Sequence, residues 1–188
     1  MAILPFADTE SAPSSIREVL DRHPVSVLRM LAHAQSAFGP WLNYTSALLG
    51  ETELDPVLRE FAILRLARLR ESEYQWVQHV AIARALGASG EQIAAIKEGR
   101  EEDPSLTEAQ REVLGFTREV TVEGAASEHA VAAVAARLGP RGVVELLLVI
   151  GQWLALCSFV NTLGLQPDLP AMASALPDTL ALRPTPDA

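Results

Sequence analysis

An all-α fold is what this sequence predicts, from three features. Leu, Ala, Glu and Arg, strong helix formers, dominate throughout. No stretch alternates apolar and polar residues for long, as half-buried strands would. Glycine, proline and capping residues cut the chain at helix-length intervals. The 188 residues, 49% of them hydrophobic, suffice for one domain (1–188) with its own core, and neither a fixed-period repeat nor a linker divides it.

The elements follow in order. SAPSSIREVLDRH is a short helix led by Ser14 or Ser15 and ended before Pro24. VSVLRMLAHAQSAFGPWLNYTSALLG is expected as two helical pieces parted at Gly39-Pro40. LDPVLREFAILRLARLR starts with Asp55 as N-cap and Pro56 at the first helical position, where the donor that proline lacks would have no partner anyway. In SEYQWVQH, Ser72 and Gln75 have the S-x-x-Q form of a capping box, so a new helix begins there, runs to Leu86 and is stopped by Gly87. Ser89 to Gln92 caps a short helix, EQIAAIKEG. Leu106–Glu123, His129–Leu138 and Arg141–Leu163 complete a bundle of about seven or eight helices. Residues 168–188, rich in Pro, Ala and Asp, are expected as a mostly extended or mobile tail.

Helical spacing then selects a pair of residues. His79 lies on one stripe with Ser72, Gln75, Trp76, Ile82 and Leu86, and Tyr74 lies off it beside Gln78 and Ala81. On the preceding helix Glu60 shares a face with Ile63, Leu64 and Ala67, apart from the arginines that flank it. A carboxylate on such a face needs a hydrogen bond or a charge partner. The two helices are close enough in sequence to form an αα-hairpin in which Glu60 and His79 meet, a carboxylate orienting an imidazole for acid–base work. The plainer reading of the same pattern is a core histidine and an internal ion pair.

Composition excludes other classes. The net charge of −9 and a single lysine, Lys97, argue against a nucleic-acid surface, and Arg59, Arg65, Arg68 and Arg70 read as a solvated or subunit-contacting face. One cysteine, Cys157, forms no disulfide or CxxC pair and reads as a small buried hydrophobe. His23, His33, His79 and His129 are too scattered for a helical zinc site, so no metal is expected. No apolar run near eighteen residues is evident, and MAILPFADTESAP lacks a basic leader, so neither a membrane partner nor secretion is expected and the address is cytoplasmic.

The stretch LDPVLREFAILRLARLRESEYQWVQHVAIARALGASGEQIAAI resembles the central motif of the carboxymuconolactone decarboxylase family, which includes the alkylhydroperoxidase D-like proteins. The shared features are Leu-x-Pro-x-Leu-Arg-Glu, the aliphatic helix, Tyr-x-Trp-x-x-His, then Gly and a short capped helix. LTEAQREVLGFTREVTVEG and VVELLLVIGQWLALCSFVNTLGL resemble its C-terminal helices, and the likeness spans most of residues 20–167. The resemblance implies an alkylhydroperoxidase D-like helical bundle that assembles as a homo-oligomer, a trimer or hexamer, with its site near a subunit boundary. In the peroxidase branch the pattern is Glu, Cys-x-x-Cys, His. Here Glu60 and His79 match, but Ser72 and Gln75 stand at the thiol positions, so dithiol peroxidase chemistry is excluded. The non-redox branch commonly has Tyr-Glu-Trp. Here it is Tyr74-Gln75-Trp76, with an amide that hydrogen-bonds but exchanges no proton near neutral pH.

The expected function is therefore a cofactor-free lyase or isomerase acting on a small carboxylated or lactone substrate. His79 moves the proton, Glu60 orients it, Gln75 and Tyr74 hold substrate oxygen, Trp76 walls the pocket, and Arg65 or Arg68 answers substrate charge. The alternative is a non-catalytic helical oligomer that binds a small molecule or serves as an accessory protein.

Overall fold

The computed structural model describes residues 2–168, which contain eight α-helices and no strand. Apart from Asp168, the expected tail lies outside the described residues. The order is α1 (Ser14–Arg22), α2 (Ser26–Leu31), α3 (Gln35–Gly50), α4 (Pro56–Leu69), α5 (Glu73–Ala85), α6 (Gly90–Glu98), α7 (Glu108–Glu123) and α8 (Glu128–Thr162).

The architecture is organised around α4. Every residue from Leu58 to Ala67 is buried, as befits a helix whose apolar residues go all the way round. Leu58, Ala62, Ile63 and Leu66 pack one way, with Val113 and Phe116 of α7 and Leu146, Ile150 and Trp153 of α8. Phe61, Leu64 and Ala67 pack the other way, with Trp76 of α5, Ile93 and Ile96 of α6, and Leu114 of α7. Burying each such aliphatic side chain contributes about 1.5–3 kcal/mol. α4 is thus held from several sides, a stiff support for whatever it carries.

Asp55 caps α4 as expected, accepting from the N–H groups of Val57 and Leu58. Ser89 and Gln92 form a complete capping box on α6, and Thr107 and Gln110 form another on α7. Ser72 does begin α5, but its hydroxyl makes no cap bond. The turn into α5 is made by α4's exit instead. Glu71 adopts φ 50°, Ser72 N–H bonds Ala67 O at 2.8 Å and Glu71 N–H bonds Arg68 O at 3.2 Å, a Schellman closure. Only Arg70, Glu71 and Ser72 separate the two helices, which makes the αα-hairpin tight.

One expected break falls elsewhere, and another appears as a kink. Pro40 sits inside α3, and the break before it comes at Ala32–Ala34. A proline in the second turn removes one backbone bond, which burial of Phe38 and Leu42 offsets. At the other end, the two expected helices run on as α8 across a kink where Gly139 takes φ 66° and ψ 173°, with Pro140 following. α8 also corrects the expectation about apolar runs. By length and composition it is apolar enough to cross a membrane, with a window of mean hydropathy 2.1, although half of that window is buried inside the fold.

Candidate functional site

Glu60 projects from the middle of α4 and His79 from the second turn of α5, and the antiparallel hairpin brings them together. Glu60 Oε2 lies 2.7 Å from His79 Nδ1, with the carboxylate wholly buried and the ring 6% exposed. A buried carboxylate needs compensation for its lost hydration. Arg59 supplies part of it: its Nε donates to Glu60 Oε1 at 3.1 Å, and its Nη1 donates to Leu49 O at 2.6 Å. The expectation that Glu60 stands apart from the arginines is therefore corrected. Arg59 turns inward and is only 7% exposed.

The second ring nitrogen is occupied too. Trp153 of α8 donates its indole N–H to His79 Nε2 at 2.8 Å, the rings meeting edge-on with centroids 5.5 Å apart and planes at 81°. An indole nitrogen is a donor only. Nε2 is therefore an acceptor, the ring proton sits on Nδ1, and Nδ1–H donates to Glu60. The hydrogen bonds fix the tautomer.

The other expected site residues divide. Gln75, one turn before His79 on the same face, is buried, and no hydrogen bond among the described residues engages its amide. Ser72 Oγ, a turn further, is buried without a hydrogen-bond partner of ordinary geometry, beside the Cys157 thiol. Burial pushes that thiol up to about 11, outweighing the downward pulls of Ser72 and Arg70, so it stays protonated and inert at neutral pH. Trp76 packs among Phe61, Leu64, Ile93 and Leu114, with the Arg68 guanidinium 5.5 Å over its ring. The tryptophan that touches His79 is Trp153, which the spacing of SEYQWVQH had no means to show. One signal was available: a tryptophan in the apolar run GQWLALC needs an acceptor for its N–H when buried.

Tyr74 faces elsewhere. It packs with Met30, Val160 and Leu165, donates its hydroxyl to Asp168 Oδ2 at 2.5 Å, and accepts from Val27 N–H at 3.3 Å. Asp168 also accepts from the Ser26 backbone N–H at 3.0 Å, from Ser26 Oγ at 2.6 Å and from Gln78 Nε2 at 3.4 Å. This carboxylate covers the face of α5 that carries Tyr74 and Gln78, off the His79 stripe. The arginines divide as well. Arg65 is buried against Glu101 at 2.6 Å, whereas Arg68 has no ion pair among the described residues.

No group of three or more His, Cys, Asp or Glu among the described residues is arranged to hold a metal ion. A 530 Å³ hollow lined by Glu91, Arg100 and Asp103, and an apolar one of 410 Å³ lined by Met30, Leu31 and Phe159, both lie away from His79.

Comparison with known proteins gives the fold its context. Residues 36–119 match the model of the carboxymuconolactone decarboxylase family. No curated protein matches the chain. Among solved structures, an uncharacterized peroxidase-related protein from Ralstonia eutropha, an alkylhydroperoxidase AhpD core, is similar with a TM-score of 0.78 and 19% identity over 92% of this chain and 94% of that one. An uncharacterized peroxidase-related protein from Silicibacter follows at 0.75 and 18%, covering 88% and 90%. The debrominase Bmp8, a Cys-to-Ala variant in complex with 2,3,4-tribromopyrrole, is similar at 0.73 and 13%, covering 95% and 100%. The matched residues include Glu60 and His79, so the segment that carries the pair is the part similar to that family, and the fold is the all-α alkylhydroperoxidase D-like one.

Proposed function

We propose that the protein is a cofactor-independent lyase or isomerase of the carboxymuconolactone decarboxylase type, acting on a small carboxylated or lactone substrate by proton transfer at His79. The observation that carries this reading is the 2.7 Å contact between Glu60 Oε2 and His79 Nδ1 in a fully buried setting. Glu60 occupies Nδ1, so Nε2 is the atom that exchanges a proton with substrate. The carboxylate holds the ring orientation and stabilises the imidazolium that forms. Gln75, on the same face and with an amide that no described residue engages, would bind the oxygen on which charge develops. Arg68, without an ion pair among the described residues and stacked on Trp76, is the better candidate of the two arginines for a substrate carboxylate. The debrominase neighbour supports an enzymatic role, since that protein performs chemistry on the same fold.

The test is turnover of a panel of carboxylated lactones and enolisable acids in deuterated water, following carbon dioxide release and deuterium uptake at carbon. A positioned acid–base group contributes about 10²–10⁴-fold, so His79→Ala loses about that much. Full activity in His79→Ala removes the assignment.

One observation favours the second reading, a non-catalytic binding oligomer: both nitrogens of His79 already have partners. A ring that stays insensitive to every ligand in an imidazole titration supports that reading. In either case the chain is proposed to assemble as a homo-oligomer, trimer or hexamer. Support comes from α8, where Val144, Leu147 and Leu148 are exposed on one face, Val144 to 55%. An apolar stripe of this kind fits burial against another copy.

A further inference from the structure

We propose that Trp153 is a positioning residue of this acid–base site: its indole N–H holds His79 Nε2 as an unprotonated acceptor, so that the site is set to remove a proton from its substrate, and Trp153 gives way when it does. The inference rests on His79 being the proton-transfer group, and it adds the direction of the first transfer.

Two independent features of the site point the same way. The first is the hydrogen bond itself. Trp153 can only donate, so a proton on Nε2 would set two donors against each other at 2.8 Å, and that contact must break. The second is the charge balance. A carboxylate beside a histidine ordinarily favours the imidazolium, but the Glu60 charge is already met by Arg59. Protonating His79 would leave a surplus positive charge among groups that are all less than 10% exposed. Among the described residues, the polar groups bonded to the ring are Glu60 from α4, with Arg59 behind it, and Trp153, uncharged, from α8.

The step balances without an outside reagent. The substrate gives up a proton to Nε2 and keeps the electron pair, which moves onto a substrate oxygen as an enolate or alkoxide. The indole N–H leaves Nε2 and donates to that oxygen. For an oxygen to sit between the two nitrogens, their separation must widen from 2.8 Å to about 4.5–5 Å, the span of two ordinary hydrogen bonds meeting at an angle. The structure thus shows the closed form, in which the donor for the developing charge rests on the base that creates it.

The experiment is nitrogen-15 NMR of the His79 ring in the full chain and in Trp153→Phe, which keeps an aromatic ring and removes the N–H. In the parent, the neutral ring is expected as the Nδ1–H tautomer. In the variant, with one neutral hydrogen bond to the unprotonated form lost, His79 protonates about half to one pH unit higher. Because the variant could fold poorly, the Trp153 indole N–H resonance is also followed in the parent, and it shifts in step with His79 protonation. An Nε2–H tautomer in the parent, or an indole resonance that ignores the His79 titration, overturns the proposal. So does a well-folded Trp153→Phe whose ring titrates as the parent does. None of these readouts depends on turnover, so the proposal can fail while His79 remains essential for activity, and the reverse.

Discussion

Replacing Glu60 by glutamine tests whether the Arg59–Glu60–His79 row is held by charge or only by shape. Glutamine has nearly the same volume and still offers one oxygen. That oxygen can accept from His79 Nδ1–H or from Arg59 Nε–H, but not from both, since these bonds use different carboxylate oxygens. Whichever way the amide turns, its NH₂ meets a donor. Arg59, 7% exposed, also loses its counter-charge and keeps only Leu49 O. Breaking a buried pair by removing one partner costs about 3–5 kcal/mol, which for a chain of this size lowers Tm by roughly 6–20 °C. Urea and thermal melts at one fixed protein concentration measure it, since any assembly would make the melt concentration-dependent. Adding Arg59→Met to Glu60→Gln removes the stranded charge, so the double variant is expected to recover much of the loss and the cycle to show strong coupling. A Glu60→Gln protein within about 1 kcal/mol of the parent, or a double variant less stable than the single one, would refute this account.

Four further predictions concern other parts of the fold. Burial first, and then the charge and hydrogen bond of Asp168, push the Tyr74 phenol above the ordinary tyrosine range, against a weaker downward pull from Val27. A raised phenol keeps its proton where the unfolded chain has lost it, so stability is complete below about pH 10 and falls as pH rises beyond it. Urea melts from about pH 8 to 11 should therefore show a steeper alkaline loss in the parent than in Tyr74→Phe, and parallel curves would refute the link. Cys157 should resist iodoacetamide in the native protein and react only on unfolding, because its thiol is buried and raised to about 11. Gly142→Ala would place a Cβ 2.5 Å from Leu138 Cβ, and should destabilise by about 1–3 kcal/mol. Gly115→Ala meets nothing within 4 Å and should stabilise α7 by about 0.5–1 kcal/mol, both effects being read from denaturant midpoints.

The sequence revealed what is local. Asp55-Pro56 announced the start of α4 because capping is decided by side chains two and three residues away. The inward directions of Glu60 and His79 follow from helical spacing, and the short Arg70–Ser72 connection left an antiparallel hairpin as the natural way for them to meet. Spacing, however, gives the direction of a Cα–Cβ bond and not the end of a long side chain. Arg59 therefore read as part of a solvated face, although its guanidinium reaches back to Glu60. Ser72 likewise matched a capping pattern, but its hydroxyl turned into the core beside Cys157. Tyr74 was hidden for a different reason. Its partner Asp168 lies 94 positions away, a separation across which no periodicity runs.

Trp153 was hidden in the same way, 74 positions from His79, and its position changes what the matched motif means. Arg59 Nε, both oxygens of Glu60 and both nitrogens of His79 each have a partner, so the row from Arg59 to Trp153 is closed. The neighbouring polar groups on the same face of α5 contrast with it, since among the described residues Gln75 has no partner for its amide and Ser72 has only the thiol beside it. These are the two positions at which the redox branch carries its thiols. A buried polar group without a partner of ordinary geometry costs stability, and the Ser72 hydroxyl is such a group. The closed row has one bond that breaks without stranding a buried charge, the neutral one between Trp153 and His79; opening either bond of Glu60 separates it from Arg59 or from the ring it orients. A substrate that takes up Nε2 therefore displaces the Trp153 indole N–H, the one contact on the ring whose loss leaves the Arg59–Glu60–His79 charges paired.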